Sequence, residues 1–415
     1  MIKFVFQFLF LLLLWNSNRK AKGEWLTSSG VLIGIYAICS FCGIFALTLG
    51  DFTQPYEDKY WLPMLEFDLF LLLFLLPFRL FRESSIQQLV LPSKKILDIF
   101  STIIIILSFY SIIFFSSSVQ GIFVMTDLSD ARNAMVAGQE LYFETGIFAT
   151  IASVSAANYV FAIVLFFIYQ IIGGSKLRST LLLIASLSEP VHILAFVGRD
   201  GIVFWIFTFL FCYAFFRPYL PKVNSKKIIR SFVLIGMIML VPFLLISVSR
   251  FGDKSGGTGG SFVSYLGQGF VQGPVYFGLE NKPLTPGSGF PLFRQLLGLP
   301  EYSSDGPVVI GDWISYRFST FIVSLYQSLD IWGLVIFLFF IYILVSISFG
   351  RVKNKITFSQ FIIYLLYFQV VGQGVFYFRH YTRGGNLFLL STLALAILFK
   401  FVKDSGNSIV INKVR

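Results

Sequence analysis

Stretches of about twenty residues in which Leu, Ile, Phe and Val are scarcely interrupted recur along the whole chain. Each is long enough to cross the ~30 Å hydrocarbon layer of a bilayer as a helix. Candidate spans lie at 2–15, 29–50, 61–80, 97–117, 147–172, 180–197, 201–216, 231–248, 331–350, 357–375 and 384–402. Composition removes the alternatives. Of 415 residues, 56% are apolar, 51 are Phe and only 13% are charged, about half the charged fraction of a soluble protein. A cytosolic enzyme, a disordered chain and a disulfide-stapled secreted domain are all excluded. The expected fold class is an all-α polytopic membrane protein of about eleven transmembrane helices, with residues 1–415 forming one integral membrane domain.

The first span is short and resembles a signal-peptide core. No small-residue cleavage site follows it; the chain runs instead into Asn16-Ser17-Asn18-Arg19-Lys20. It therefore reads as an uncleaved anchor with its N-terminus outside. Cys39, Cys42 and Cys212 all fall within spans. The Cys39–Cys42 spacing has no second pair and no nearby His, so these thiols read as packing groups.

A net charge of +11 invites a nucleic-acid partner, but no block of the chain combines dense Lys and Arg with a soluble fold, so nucleic acid is rejected. Most of the charge reports orientation. Alternate loops, from Arg19-Lys20 through Lys226-Lys227 to Lys413 and Arg415, hold 21 of the 32 basic residues and few acids. The positive-inside rule puts those loops and the C-terminus in the cytoplasm and the N-terminus outside.

One outer loop differs from the rest. Residues 249–317 hold 14 Gly and 6 of the 14 Pro, and loops of such length are usually functional. Phe290 to Leu297 reads as a short interfacial helix stopped by Gly298. Asp312 to Leu329 carries Trp313, Tyr316, Phe321 and Leu325 at helical spacing, and is expected to form an amphipathic helix on the outer leaflet. The Ser255–Ser261 glycine run reads as flexible linker, lacking the Lys and the strand–helix setting of a phosphate loop. The whole segment 249–330 is expected to be a long periplasmic loop with interfacial helices.

Basic residues on the outer face oppose the positive-inside bias and so need a reason. Arg199 lies in Val197-Gly198-Arg199-Asp200-Gly201, a very short turn between two spans. Arg250 directly follows a span. Arg317 lies on the expected amphipathic helix, and Arg379, His380 and Arg383 occupy another short turn. Arginine keeps its charge and matches phosphate with two parallel bonds, so such a set suits a pyrophosphate at the membrane surface. A snorkelling Arg199 paired with Asp200 is the structural alternative.

Acids are fewer. Glu66 and Asp68 lie near one end of a span, and Glu189 is mid-span beside Pro190, with His192 on the same helix face. Glu189 and His192 could relay protons or form a structural carboxyl pair at a kink. Asp127, Asp130, Glu140 and Glu144 lie in the outer loop at 118–145, where solvation accounts for them. The two histidines, His192 and His380, lack neighbours at metal-ligand spacing. No metal site and no cofactor are expected.

These features resemble the Wzy-type O-antigen and oligosaccharide repeat-unit polymerases, a branch of the glycosyltransferase C superfamily. The resemblance rests on the many spans with one long outer loop in the C-terminal half. Three short motifs add to it: Gly198-Arg199-Asp200-Gly201, Ser249-Arg250, and Ser328-Leu329-Asp330-Ile331-Trp332-Gly333 where the chain re-enters the membrane. Many members carry a Ser where Gly198 stands, and the paired Arg–Gly spacing of some members is missing. The resemblance implies location in a bacterial inner membrane and transfer of a growing glycan from polyprenyl pyrophosphate to a lipid-linked acceptor repeat unit. Membrane lipids and a chain-length regulator are the implied partners. Arg199 and Arg250 would hold the pyrophosphate, with Arg317, Arg379, Arg383 and Asp200 as further binding candidates. His380 is the candidate base. Three alternatives stand beside this: an O-antigen ligase, a proton-coupled transporter or lipid-linked glycan flippase using Glu189 and His192, and a non-catalytic scaffold binding lipid pyrophosphate.

Overall fold

Long runs of Leu, Ile and Phe broken by few prolines give helices that end where the loops turn basic or glycine-rich. The computed structural model describes all residues except 49–60, 82, 125–127, 129–145, 252–256, 301–307, 311, 312, 316, 317, 350–353, 403–407, 414 and 415. In chain order the helices are α1 (Ile2–Lys22), α2 (Ser28–Thr48), α3 (Trp61–Leu80), α4 (Lys94–Val124), α5 (Ile147–Ala156), α6 (Tyr159–Ile172), α7 (Lys176–Ala185) and α8 (Ser188–Leu194). There follow α9 (Asp200–Phe216), α10 (Lys222–Phe251), α11 (Gly257–Gly278), α12 (Pro291–Leu296), α13 (Thr320–Phe349), α14 (Phe358–Val371) and α15 (Arg383–Val402). Strands are few and short: β1 (Gln88–Leu91), β2 (Val309–Ile310), β3 (Trp313–Ile314), β4 (Lys355–Thr357) and β5 (Ile409–Asn412).

Among the described residues, eight helical segments are long and apolar enough to cross a membrane, or nine if the α5–α6 pair, bent by 43°, is one span. The protein is thus an all-α polytopic membrane protein at the level of its elements. Its surface agrees. Met237, Ile238, Ile336 and Phe339 are each more than 60% exposed, a dress that suits lipid and not water.

The chain divides into two compact units, one of residues 1–86 and 254–400, the other of residues 87–253 and 401–415. In the first, α14 is the most enclosed helix. Its N-terminus carries a reciprocal capping box between Thr357 and Gln360, which satisfies two donors that a helix start otherwise leaves open. Around it Phe78 stacks on Tyr367, with ring centres 4.6 Å apart, and meets Tyr364. In the second unit α6 is buried along almost its whole length, with Phe167 stacked on Phe216. There β1 and β5 pair antiparallel, Gln88 opposite Asn412 and Leu91 opposite Ile409.

The segment read as a loop turns out to be largely built. Residues Gly257–Ser261, expected as linker, open the 22-residue helix α11. Its glycines are there for close approach. A Cβ on Gly267 would lie 2.4 Å from the backbone nitrogen of Gly43 on α2, and one on Gly273 would meet the Phe67 ring at 2.5 Å. Small residues let membrane helices touch backbone to backbone, so the glycine-rich composition that read as loop is a packing surface.

The expected helix over 312–329 also differs. Val309–Ile310 and Trp313–Ile314 pair as two short antiparallel strands, with Trp313 fully buried. The helix begins only at Thr320, and Phe321, Ile322, Val323 and Leu325 are buried within the unit. An apolar stripe reads alike whether its partner is lipid or protein. The short helix expected at Phe290–Leu297 is present as α12, and Gly298 ends it in the left-handed conformation.

Candidate functional site

Arg199 is the starting point. Helix α8 ends at Leu194, and the chain turns through Val197, which has a positive φ of 53°, to reach α9. The turn is tied by Gly198 N–H to the Ile193 carbonyl at 2.9 Å and Val197 N–H to the Leu194 carbonyl at 2.8 Å. Gly198 and Gly201 both lie against Ile193, where any Cβ would come within 2.8 Å of its side chain. Those two glycines therefore pin Arg199 as the N-cap residue of the 17-residue α9.

The guanidinium is buried, only 3% exposed. Its Nη1 donates to Ser247 Oγ at 2.7 Å, and its carbon sits 5.6 Å from the centre of the Phe243 ring. Ser247 in turn donates to the Phe243 carbonyl one turn back on α10. Both of these contacts are with neutral groups. The amino end of α9 adds partial positive charge at the same point. Arg250 follows Ser247 by three residues on α10, which places it on the same helix face; its side chain lies outside the described residues. Asp200 takes the first position of α9 and is half-buried. Ser249 accepts a hydrogen bond from Leu128 N–H at 3.3 Å.

Glu189 and His192 share a face of α8, as their spacing requires, with Oε2 and Nδ1 3.6 Å apart. Glu189 is buried, and the imidazole packs between Phe115 and Phe196 at 4.8 and 5.3 Å. The helix is interrupted before them, at Ser186–Leu187. Pro190 explains the position, because it cannot donate to the carbonyl four residues earlier.

The remaining candidates belong to the first unit. Arg379 donates through Nη1 to Gln373 Oε1 at 2.7 Å, and Arg383 is exposed as the first residue of α15. His380 is enclosed, 5% exposed, and stacks on Phe388 with ring centres 5.8 Å apart. Its turn is drawn tight by Asn386, whose Nδ2 donates to the His380 carbonyl at 2.6 Å and to the Gly289 carbonyl at 3.1 Å. Gly385 permits this, since a Cβ there would strike the His380 backbone at 2.7 Å. Arg317 and the acids Asp127, Asp130, Glu140 and Glu144 lie outside the described residues.

The re-entry motif Ser328–Gly333 becomes a break within α13. Asp330 has φ 59° and ψ 177°, and its Oδ1 accepts the Ile331 N–H at 2.7 Å to restart the helix. Ser328 fastens the preceding loop by accepting Gly289 N–H at 3.0 Å. Ser247, Phe243, Gln373 and Asn386 were not singled out from sequence. Only Ser247 left a readable trace, three positions before Arg250.

Among the described residues no three His, Cys, Asp or Glu side chains come together as metal ligands. Comparison with protein-family models, curated proteins and solved structures found no match to this chain.

Proposed function

We propose that this chain polymerises polyprenyl-pyrophosphate-linked oligosaccharide repeat units at the periplasmic face of a bacterial inner membrane, by metal-independent glycosyl transfer. The Arg199 turn carries the reading. It presents a permanent cation at the head of a helix, held by Ser247 and Phe243, with Arg250 one turn further along the helix that bears them. That is the equipment for a pyrophosphate leaving group.

In the reaction a terminal hydroxyl of the acceptor repeat unit attacks the anomeric carbon of the donor glycan. The new C–O bond forms as the bond to polyprenyl pyrophosphate breaks, and the leaving group takes the electron pair. Arg199 and Arg250 stabilise the charge that grows on it. The hydroxyl proton passes to a base, a role assigned to His380, whose enclosing turn would have to open. Arg317, Arg379, Arg383 and Asp200 are further binding candidates. No cofactor enters the step, and a chain-length regulator is a natural partner.

A second reading, a proton-coupled transporter or flippase of lipid-linked glycan, draws on the buried Glu189–His192 pair. Reconstitution of the full chain with a synthetic lipid-pyrophosphate repeat unit separates the two. A ladder of longer lipid-linked glycans supports polymerisation; vectorial movement with no new bond overturns it. Arg199→Ala and Arg250→Ala should each lower ladder formation by at least about 100-fold, in the range lost when a transition-state charge partner is removed. Normal ladders from both variants would reject the site.

A further inference from the structure

A second charged feature lies elsewhere in the unit of residues 87–253. A cavity of about 410 Å³ opens beside α4 and α7, and its lining changes character along the two helices. Near their first turns it is lined by Lys94, Asp98, Ser175 and Arg178; further along come Ile105, Ile106 and Leu181. From Lys94 to Ile106 the helix advances about 18 Å at 1.5 Å per residue. The cavity therefore has a polar mouth and an apolar groove running down a helix that is apolar enough to span a bilayer.

The mouth is built to hold an anion. Arg178 is held by the Asp98 carboxylate and by the Tyr169 hydroxyl, the latter at 3.2 Å, and both contacts run through Nη1. Tyr169 also donates to Asp98 at 2.5 Å, on the same Oδ1 that meets Arg178, so the three groups form one cluster. The guanidinium is thus fixed in place through Nη1 at the mouth of the cavity. Two basic residues, Lys94 and Arg178, line this mouth with one acid, Asp98, and leave it net positive. Both helices also begin here, with Ser175 capping α7 by accepting Arg178 N–H. Their amino ends add to the positive potential.

We propose that this cavity binds the phosphate of an anionic glycerophospholipid, with an acyl chain laid along Ile105, Ile106 and Leu181. A free phosphate would satisfy the cations equally, but it has no use for the apolar groove. The site is separate from the Arg199 turn and does not depend on the glycosyl-transfer reading.

Native mass spectrometry of the delipidated full chain in detergent tests this, with dioleoyl phosphatidylglycerol and dioleoyl phosphatidylcholine as probes. Phosphatidylglycerol should bind at least about fivefold more tightly, and Lys94→Gln should remove about fivefold of that affinity, the contribution of one interfacial cation. Lys95→Gln should leave binding unchanged, because Lys95 does not line the cavity. Excess inorganic phosphate should not displace the lipid. Equal binding of the two lipids, equal loss in the Lys94 and Lys95 variants, or displacement by phosphate would each overturn the proposal.

Discussion

At the residue scale two buried cations set the terms. Arg199 is held by a neutral hydroxyl and an aromatic face. Ser247→Ala leaves that guanidinium one hydrogen bond short, a loss of about 1.5–3 kcal/mol for a charged donor. A lowered denaturation midpoint of the solubilised chain should report it; an unchanged midpoint would mean the bond contributes nothing. Lys22, at the polar end of α1, donates to Ser29 Oγ at 2.5 Å and to the Phe78 carbonyl at 3.1 Å, with Glu83 4.0 Å away. Burial pushes its pKa below the usual 10.5, and the attraction of Glu83 and Glu24 only partly opposes the shift. Between the lowered value and 10.5 the unfolded chain binds more protons than the folded one. Stability from this group is therefore least below that interval and rises with pH across it. Melting temperatures at pH 7.5 and 10 should show a gain with pH in the native chain that is reduced in Lys22→Met; parallel shifts would reject the assignment. Sequence singled out Arg199 because it stands against the expected charge bias. It gave no sign of Lys22, which looked like one more orientation charge.

At the element scale glycine and aspartate mark places where helices meet or break. Gly267 faces the α2 backbone at Gly43, so Gly267→Ala should cost about 1–3 kcal/mol by overpacking. Gly236 on α10 has nothing within 4 Å of a built Cβ, so Gly236→Ala should be neutral or should stabilise by about 0.5–1 kcal/mol. Thermal melts of the two variants check the contrast, and equal behaviour would contradict the packing of α11 on α2. Asp330, with φ 59° and ψ 177°, occupies a region open almost only to glycine, at a cost of about 1–3 kcal/mol. Asp330→Gly should fold as well as the native chain even though it loses the bond to Ile331, whereas Asp330→Val should fold poorly. Comparable yields of both on size-exclusion chromatography would count against the break. The apolar runs made most helices legible. The glycine-rich α11 was not, because hydropathy measures transfer to lipid and says nothing of backbone contact between helices.

At the scale of the whole molecule, many apolar helices and outward-facing Ile, Leu, Met and Phe define a membrane protein. The orientation expected of it rests on the asymmetry of Lys and Arg. Lys227→Cys should react with an impermeant thiol reagent only after lysis, while Leu297→Cys, 73% exposed in the native side chain, should react in intact spheroplasts. The reverse pattern would invert the topology and put the arginine turn on the wrong side for periplasmic chemistry. The native thiols interfere little: Cys39 and Cys212 are buried, and Cys42 is half-buried.

Sequence by itself determined the class of this protein, because an apolar run of twenty residues has few stable states outside a membrane helix. It also marked Arg199, since a charge placed against the orientation bias must be held by something specific. Only the tertiary structure decided that Ser247, 48 residues further along the chain, and Phe243 on the same helix help to hold it. It decided too that the glycine run is helix and that Phe321 and Leu325 face protein. Those outcomes depend on which surfaces meet, and the pattern of one strand of sequence does not contain its partner.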